Sequence, residues 1–241
     1  AMRIINDIKC NYMSYGFKDN NDLYIKSYSI NIDWTEIIFQ FKNEEFHLKT
    51  NLIGKFNIYN IMAAMLASYK SGLSINNTIE ALKNVKTVPG RFEQFKLKNN
   101  NHAIVDYAHT PDAFKNILSN IKNLTKKEII TIFGCGGNRD KSKRSRMGKI
   151  AEKYSDFIYI TNDNPRFENE NLIIEHIVSD LNKDNYTIIK NRKNAIQQAC
   201  EKNKDAIIVI LGKGRDDYQI KNNNKEYHSD IDTLKEYLNE S

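Results

Sequence analysis

The chain has 241 residues, 40% apolar and 27% charged, with a formal net charge of +6. That length supports a sizeable core in one large or two small domains, and no apolar run approaches a membrane span. The first residues lack the apolar stretch of a secretory signal. The three cysteines, Cys10, Cys135 and Cys200, form neither a metal motif nor a disulfide framework, so a reducing cytoplasm is the expected location.

Lysines are dispersed, with one basic cluster at 139–146. Without a zinc finger or an aromatic-basic motif, nucleic acid is not the expected partner. Small phosphorylated anions suit the same charge. Ala1 and Met2 read as a leftover preceding the native sequence, whose start is expected further upstream.

Residues 23–50 alternate with period two ("LYIKSYSINI", "EIIFQF", "EFHLKT"), the pattern of an antiparallel meander. Residues 57–85 change to helical spacing, with Ser74 placed to cap the second of two helices. The Met, Leu and Tyr residues of the first helix are read as core. This β-then-α region is expected to end near "TVPG", 87–90.

From about residue 91 strands and helices alternate. The expected strands are 103–107, 128–134, 156–161, 186–190 and 206–212. The expected helices are 111–123, 144–154, 170–181 and 192–202, with "IDTLKEYLN" closing the chain. Continuous Ile/Val runs separated by helices imply a mostly parallel sheet covered on both faces, a doubly wound α/β domain. In "DYAHTPDAF", His109 falls in a strand-to-helix turn, with Thr110 as N-cap and Pro111 at the first helical position.

Ligands of such sheets bind outside the carboxyl ends of the strands. Three strand ends carry unusual loops: "GCGGNRDKSKR" (134–144), "NDNPR" (162–166) and "GKGRDDYQ" (212–219). If the three strands are parallel, Arg139, Asn164, Arg166, Gly212, Asp216 and Asp217 face one crevice. Guanidinium forks bind carboxylates bidentately, and carboxylates accept from an ammonium, so a zwitterion is the expected ligand. Pro165 restrains Arg166, lowering the entropy lost on clamping it. "GCGGNR" is not a full GxGxxG fingerprint, and "GKGRDD" is not a P-loop.

Together, "GKFNIYNIMAA", "VPGRFE", "VDYAHTPDA", "FGCGGNRDKSKR", "NDNPR", "GKGRDDYQ" and the late "HSD" resemble the C-terminal part of a Mur ligase. These are ATP-dependent amide-forming enzymes of peptidoglycan synthesis. The resemblance implies the C-terminal part of the central ATP-binding domain at 1–89 and a Rossmann-like amino-acid-binding domain at 90–241. "DNPR" implies the member that joins meso-diaminopimelate to UDP-N-acetylmuramoyl-L-alanyl-D-glutamate, with Arg166 on the distal carboxylate that lysine lacks. By the same resemblance Arg139, Asp163, Asn164, Pro165, Arg166, Gly212 and Asp216 bind diaminopimelate. Asn57 and Asn60 lie on the adenine side of ATP, Arg91 near the transferred phosphate, and Asp106 at the ribose.

ATP and Mg2+ are the implied cofactors, and a monomer the implied state. Two departures stand out. The family's usual GKGHE is "GKGRD" here, and no stretch supplies the uridine-binding domain, the GxxGKT loop or the modified lysine that helps hold Mg2+. The chain is therefore expected to be a piece of a longer enzyme, inactive by itself. The alternatives are another Mur or folylpolyglutamate-type ligase, or a non-catalytic nucleotide- or amino-acid-binding module.

Overall fold

The computed structural model describes residues 10–239, so residues 1–9, with Ala1 and Met2, and residues 240–241 lie outside the described part. The chain divides into two compact units, Ala1–Lys86 and Thr87–Ser241.

The first unit contains β1 (Tyr15–Gly16), β2 (Leu23–Ile30), β3 (Thr35–Phe41) and β4 (Glu44–Thr50) in one sheet of that order. The last three strands form the expected antiparallel meander. Alternation decides its buried face: every second residue of β3, from Thr35 to Phe41, is buried, as period-two side-chain geometry requires. β1 is too short to carry a periodic signal and is added by parallel pairing to β2.

Against this face pack α1 (Lys55–Lys70) and α2 (Ile75–Lys83). Ile58, Ile61, Met62 and Met65 of α1 are buried, so its methionines are core residues. Tyr59 of the same helix stays exposed. Ser74 caps α2 as expected, accepting from the Asn77 amide at 3.1 Å.

The second unit is built on a six-stranded sheet. In chain order its strands are β5 (Glu93–Lys96), β6 (His102–Asp106), β7 (Glu128–Phe133), β8 (Phe157–Ile160), β9 (Tyr186–Ile188) and β10 (Ala206–Leu211). Across the sheet the order is β5-β6-β10-β7-β8-β9. β6 to β10 are mutually parallel, and β5 runs antiparallel at one edge. All six residues of β10 are buried, which explains its unbroken apolar run: a strand covered on both faces has no position for a polar side chain.

Helices α3 (Pro111–Leu124), α4 (Lys143–Tyr154) and α5 (Glu170–Val178) pack side by side. Phe114 of α3 stacks edge-on against Phe133 of β7 at 5.1 Å. α6 (Arg192–Lys202) and α7 (Asp230–Asn239) also pack together, and bury Ala195, Ile196, Ala199, Cys200 and Leu234 against alternate residues of β7 and β10. Thr110 caps α3 and Pro111 opens it, as the sequence predicts. α5 stops earlier than the expected residue 181. Beyond it the amides of Asn182 and Lys183 donate to Glu152 Oε1 at 2.7 and 2.8 Å, so a carboxylate on α4 turns the chain away.

A hairpin of β11 (Tyr218–Lys221) and β12 (Asn224–Tyr227) follows β10. It has no counterpart among the expected elements. β12 is exposed at every position, so it leaves no hydrophobic pattern, and its strand character comes from pairing with β11. Among the described residues no helix is long and apolar enough to cross a membrane.

Candidate functional site

β10, β7 and β8 are adjacent and parallel, so the loops after them share one sheet edge, where α/β sheets bind ligands. The glycines of the first loop are steric requirements. A Cβ on Gly134 would stand 2.1 Å from Thr161 O, and one on Gly137 1.9 Å from Pro165 O. Only bare backbone lets the β7 loop lie against the β8 loop, and the Gly137 amide then donates to Asn164 O at 2.8 Å. These glycines join two loops.

Arg166 is held by more than its neighbouring proline. Its φ is +52°, a left-handed conformation uncommon for a bulky residue. The backbone is kept there by hydrogen bonds on both sides: Arg166 N donates to Ile220 O at 2.9 Å, and Asn222 N to Arg166 O at 2.7 Å. The hairpin, which leaves no hydrophobic pattern in the sequence, thus presents this side chain. Its Nη1 donates to Gly137 O at 2.9 Å and Asn164 O at 3.4 Å. Those are neutral carbonyls, and Arg166 makes no ion pair among the described residues.

Arg139, Asp163, Asn164, Arg166, Gly212 and Asp216 line one crevice of about 430 Å³, together with Tyr107, His109, Cys135, Lys143 and Met147. Gly212 has a φ of +114° and turns the chain out of β10 beside Asp163. Arg139 and Asp216 form no ion pair among the described residues. Asp217 and Pro165 do not line this crevice. Asp217 enters the hairpin, where its carbonyl accepts from the His228 amide at 3.0 Å, and the Pro165 carbonyl is turned onto Gly137.

Asp106 organises the β6 end. Its two carboxylate oxygens accept from the Phe92 and Ala108 amides at 2.8 and 2.7 Å. Burial raises its pKa, against these bonds and Arg91. Arg91 lies over the Tyr107 ring, 4.8 Å from its centre. Asn57 and Asn60 lie on α1 in the first unit. Asn57 Nδ2 donates to Ile53 O at 2.8 Å, and Asn60 Nδ2 to Asn57 Oδ1 at 3.2 Å. His109 keeps its turn position, with Nδ1 2.9 Å from Tyr107 O, and also borders the crevice.

Lys213 carries no sequence signal of its own, yet it is 1% exposed. Its ammonium donates to Tyr218 O and lies 3.4 Å from both Asn164 Oδ1 and Asp163 Oδ1. Burial lowers its pKa, while Asp163 pulls the other way. Lys213 therefore ties the β10 loop to the β8 loop from inside. Nothing in "GKGRDD" distinguishes a buried lysine from a solvated one, because its side-chain partners, Asp163 and Asn164, lie far earlier in the chain.

A second support is Arg144, which is fully buried. It forks onto Glu168 with two 2.7 Å bonds and donates to Gly136 O at 3.1 Å. Glu168 also accepts from the Asn138 amide at 3.0 Å. The Arg144 fork pulls the Glu168 carboxyl from its ordinary 4.5 to about 2, against the opposing effect of burial.

A carboxyl depressed in the folded state stabilises above its unfolded pKa, and that stability is lost as pH falls through the folded value. Melting temperatures of the chain and of Glu168→Gln should accordingly differ by a constant gap above about pH 5. The gap should close toward about pH 2. A gap that persists unchanged into strong acid would show that this carboxylate does not carry the pH dependence.

The family description "Mur ligase, glutamate ligase domain" matches residues 90–214, and "Mur ligase middle domain" matches residues 1–68. The chain is 38% identical over 234 residues to the UDP-N-acetylmuramoyl-L-alanyl-D-glutamate–2,6-diaminopimelate ligase of Clostridium botulinum, covering 95% of this chain and 48% of that protein. It is 42% identical over 228 residues to the protein of the same name from Aquifex aeolicus, covering 94% and 46%. A solved structure of a ligase of this name superposes with a TM-score of 0.70 at 26% identity, over 95% of this chain and 47% of that one. MurF ligase from Thermotoga maritima, solved with ADP, shares the fold at a TM-score of 0.65 and 17% identity, covering 95% and 48%. The chain spans about half the length of the curated relatives it matches. With the doubly wound domain and the middle-domain segment both matched, the chain belongs to the Mur ligase family.

Proposed function

We propose that the chain is the amino-acid-binding half of a ligase that joins meso-diaminopimelate to UDP-N-acetylmuramoyl-L-alanyl-D-glutamate at the expense of ATP. The observation that carries this reading is the charge lining the crevice: among the described residues Arg139 and Arg166 make no ion pair with a carboxylate, and Asp216 makes none with a cation. A ligand with carboxylate and ammonium groups at both ends supplies what these side chains lack, and the names of the relatives agree.

In this reading the guanidinium of Arg166 forks onto the distal carboxylate, Arg139 serves a carboxylate, and Asp216 orients an ammonium. Asp163 and Asn164, held by Lys213, shape the wall beneath. The γ-carboxylate of the D-glutamyl residue becomes an acyl phosphate at the expense of ATP. The diaminopimelate amine attacks it, forming the amide and releasing phosphate. Positioning is this unit's contribution, and it is a large part of the barrier when two reactants must meet. Arg91 offers charge to the transferred phosphoryl group, where electrostatic stabilisation dominates catalysis. Asp106 retains lone pairs for ribose hydroxyls beside its two amide bonds. On the first unit, Asn57 and Asn60 are assigned to the adenine side.

Among the described residues no three His, Cys, Asp or Glu side chains cluster as a metal site. Mg2+ on a nucleotide is held by phosphates and one or two protein carboxylates, and most of its protein ligands are assigned outside this chain. The domains are assigned as 1–89 and 90–241, and the enzyme as a cytoplasmic monomer.

Calorimetry on the chain with diaminopimelate, lysine and ATP tests the reading. Diaminopimelate should bind well above lysine. Binding of ATP with no preference between the two amino acids would point instead to a nucleotide module.

A further inference from the structure

A second crevice, of about 400 Å³, lies between Val88–Arg91, Tyr107 and Arg215–Asp216. Two glycines bring its walls together. A Cβ on Gly90 would stand 2.2 Å from Arg215 N, and one on Gly214 2.7 Å from Gly90 O. Both have positive φ, +69° and +55°, so the backbone contact depends on glycine at each position. This contact sets Arg91 and Arg215 in the wall of the same cavity. Arg91 rests on the Tyr107 ring. Arg215 makes no hydrogen bond or ion pair among the described residues, and it is exposed. Tyr107 and Asp216 border this crevice and the first one alike.

Two guanidiniums in one concavity repel each other unless an anion lies between them. Their forks match phosphate oxygens in geometry as well as charge. We propose that Arg215 is a phosphate-binding residue, acting with Arg91 on the terminal phosphoryl group of a polyphosphate. The shared wall of Tyr107 and Asp216 places that group next to the amino-acid crevice. The role of Arg215 in binding stands on the cavity, and only its neighbourhood to the amine rests on the proposed function. Where the usual pattern reads GKGHE, histidine would carry a charge that fades near neutrality. Arginine keeps its charge at every physiological pH, so this chain's phosphate contact is independent of that titration.

The test uses tripolyphosphate as probe, titrated calorimetrically into the chain at low salt, with diaminopimelate titrated in parallel. Arg215→Ala should weaken tripolyphosphate about tenfold, the scale of one charge-assisted contact. Diaminopimelate affinity should stay within about twofold, a difference of less than 0.5 kcal/mol. Lys202→Ala, a remote charge deletion on α6, should leave tripolyphosphate binding unaltered. Arg215→His should bind nearly as well as the unsubstituted chain in mild acid, and fall behind as pH rises through about 6.5. Comparing the two proteins at each pH cancels the titration of the probe itself.

Equal losses for Arg215→Ala and Lys202→Ala would mean diffuse attraction to a basic protein, and overturn the assignment. So would an unaltered affinity in Arg215→Ala, or no tripolyphosphate binding at millimolar concentrations. Arg215-dependent tripolyphosphate binding without diaminopimelate binding would uphold this inference while refuting the proposed amino-acid substrate.

Discussion

Replacing Arg166 with alanine should cost diaminopimelate binding about 2–5 kcal/mol, because one half of a partly desolvated charge pair is removed. In affinity that is roughly 30-fold to several thousand-fold. Among the described residues this side chain bonds to the carbonyls of Gly137 and Asn164 and to no carboxylate, so there is no ion pair to break when the ligand binds. Lysine has nothing for the guanidinium to hold, and its weak binding should hardly fall. Discrimination between the two is a difference of affinities, to which the same cation contributes by attraction in one case and repulsion in the other.

The backbone provides a control. At a φ of +52° alanine inherits the strain that arginine already bears, whereas glycine relieves it. Arg166→Gly should therefore lose as much diaminopimelate affinity as Arg166→Ala while melting no lower. Arg166→Lys should regain part of the loss, since a point charge does not reproduce the fork. The readout is calorimetric affinity for both amino acids across the variants. Equal losses for diaminopimelate and lysine would make Arg166 a structural residue and remove the specificity assignment.

Asp230→Asn should destabilise the second unit by about 3–5 kcal/mol, the usual result of leaving a buried charge without its partner. Arg192 Nε and Nη2 each donate to Asp230 at 2.7 Å, and both side chains are fully buried. Burial alone would push the Asp230 carboxyl up. Arg192, and then His228 with its Nε2 2.9 Å from Asp230 Oδ1, outweigh it and hold the carboxyl below its ordinary range. By linkage, the pair's stabilisation is complete above about pH 4, and is lost only as pH falls through the depressed folded value.

The consequence reaches the ligand crevice. Arg192 Nη2 also donates to Leu211 O at 2.9 Å, the last residue of β10, so the pair anchors the strand end from which Gly212 and Asp216 depart. Urea unfolding should show a lower midpoint for Asp230→Asn with an unaltered slope, and diaminopimelate affinity should drop with it. A variant as stable as the parent chain would mean that Arg192 has found another partner, and that the pair is not what holds this end of the strand.

Much of this molecule follows from periodicity in the chain. The meander at 23–50 and the parallel strands from β6 onward are legible because burial on one face forces alternation, and burial on both forces continuous apolar runs. Ser74, Thr110 and Pro111 are equally legible, since helix capping is settled within a few residues. The three loops could be aimed at one edge because parallel strands place their carboxyl ends together.

Tertiary structure decided what depends on partners distant in sequence. Lys213, Arg215, Asp216 and Asp217 are four charged residues within five positions, identical in kind to any solvated turn. Lys213 is buried through Asp163 and Asn164, Asp216 lines two crevices, Arg215 only the second, and Asp217 joins the hairpin. The hairpin's exposed β12 has no apolar signature, yet Ile220 of β11 and Asn222 of the turn supply the backbone bonds that hold Arg166 in its left-handed conformation. Local pattern reports which residues must leave water. Which charge faces which partner is set by long-range contacts, and those contacts turn the "DNPR" and "GKGRDD" segments into a site.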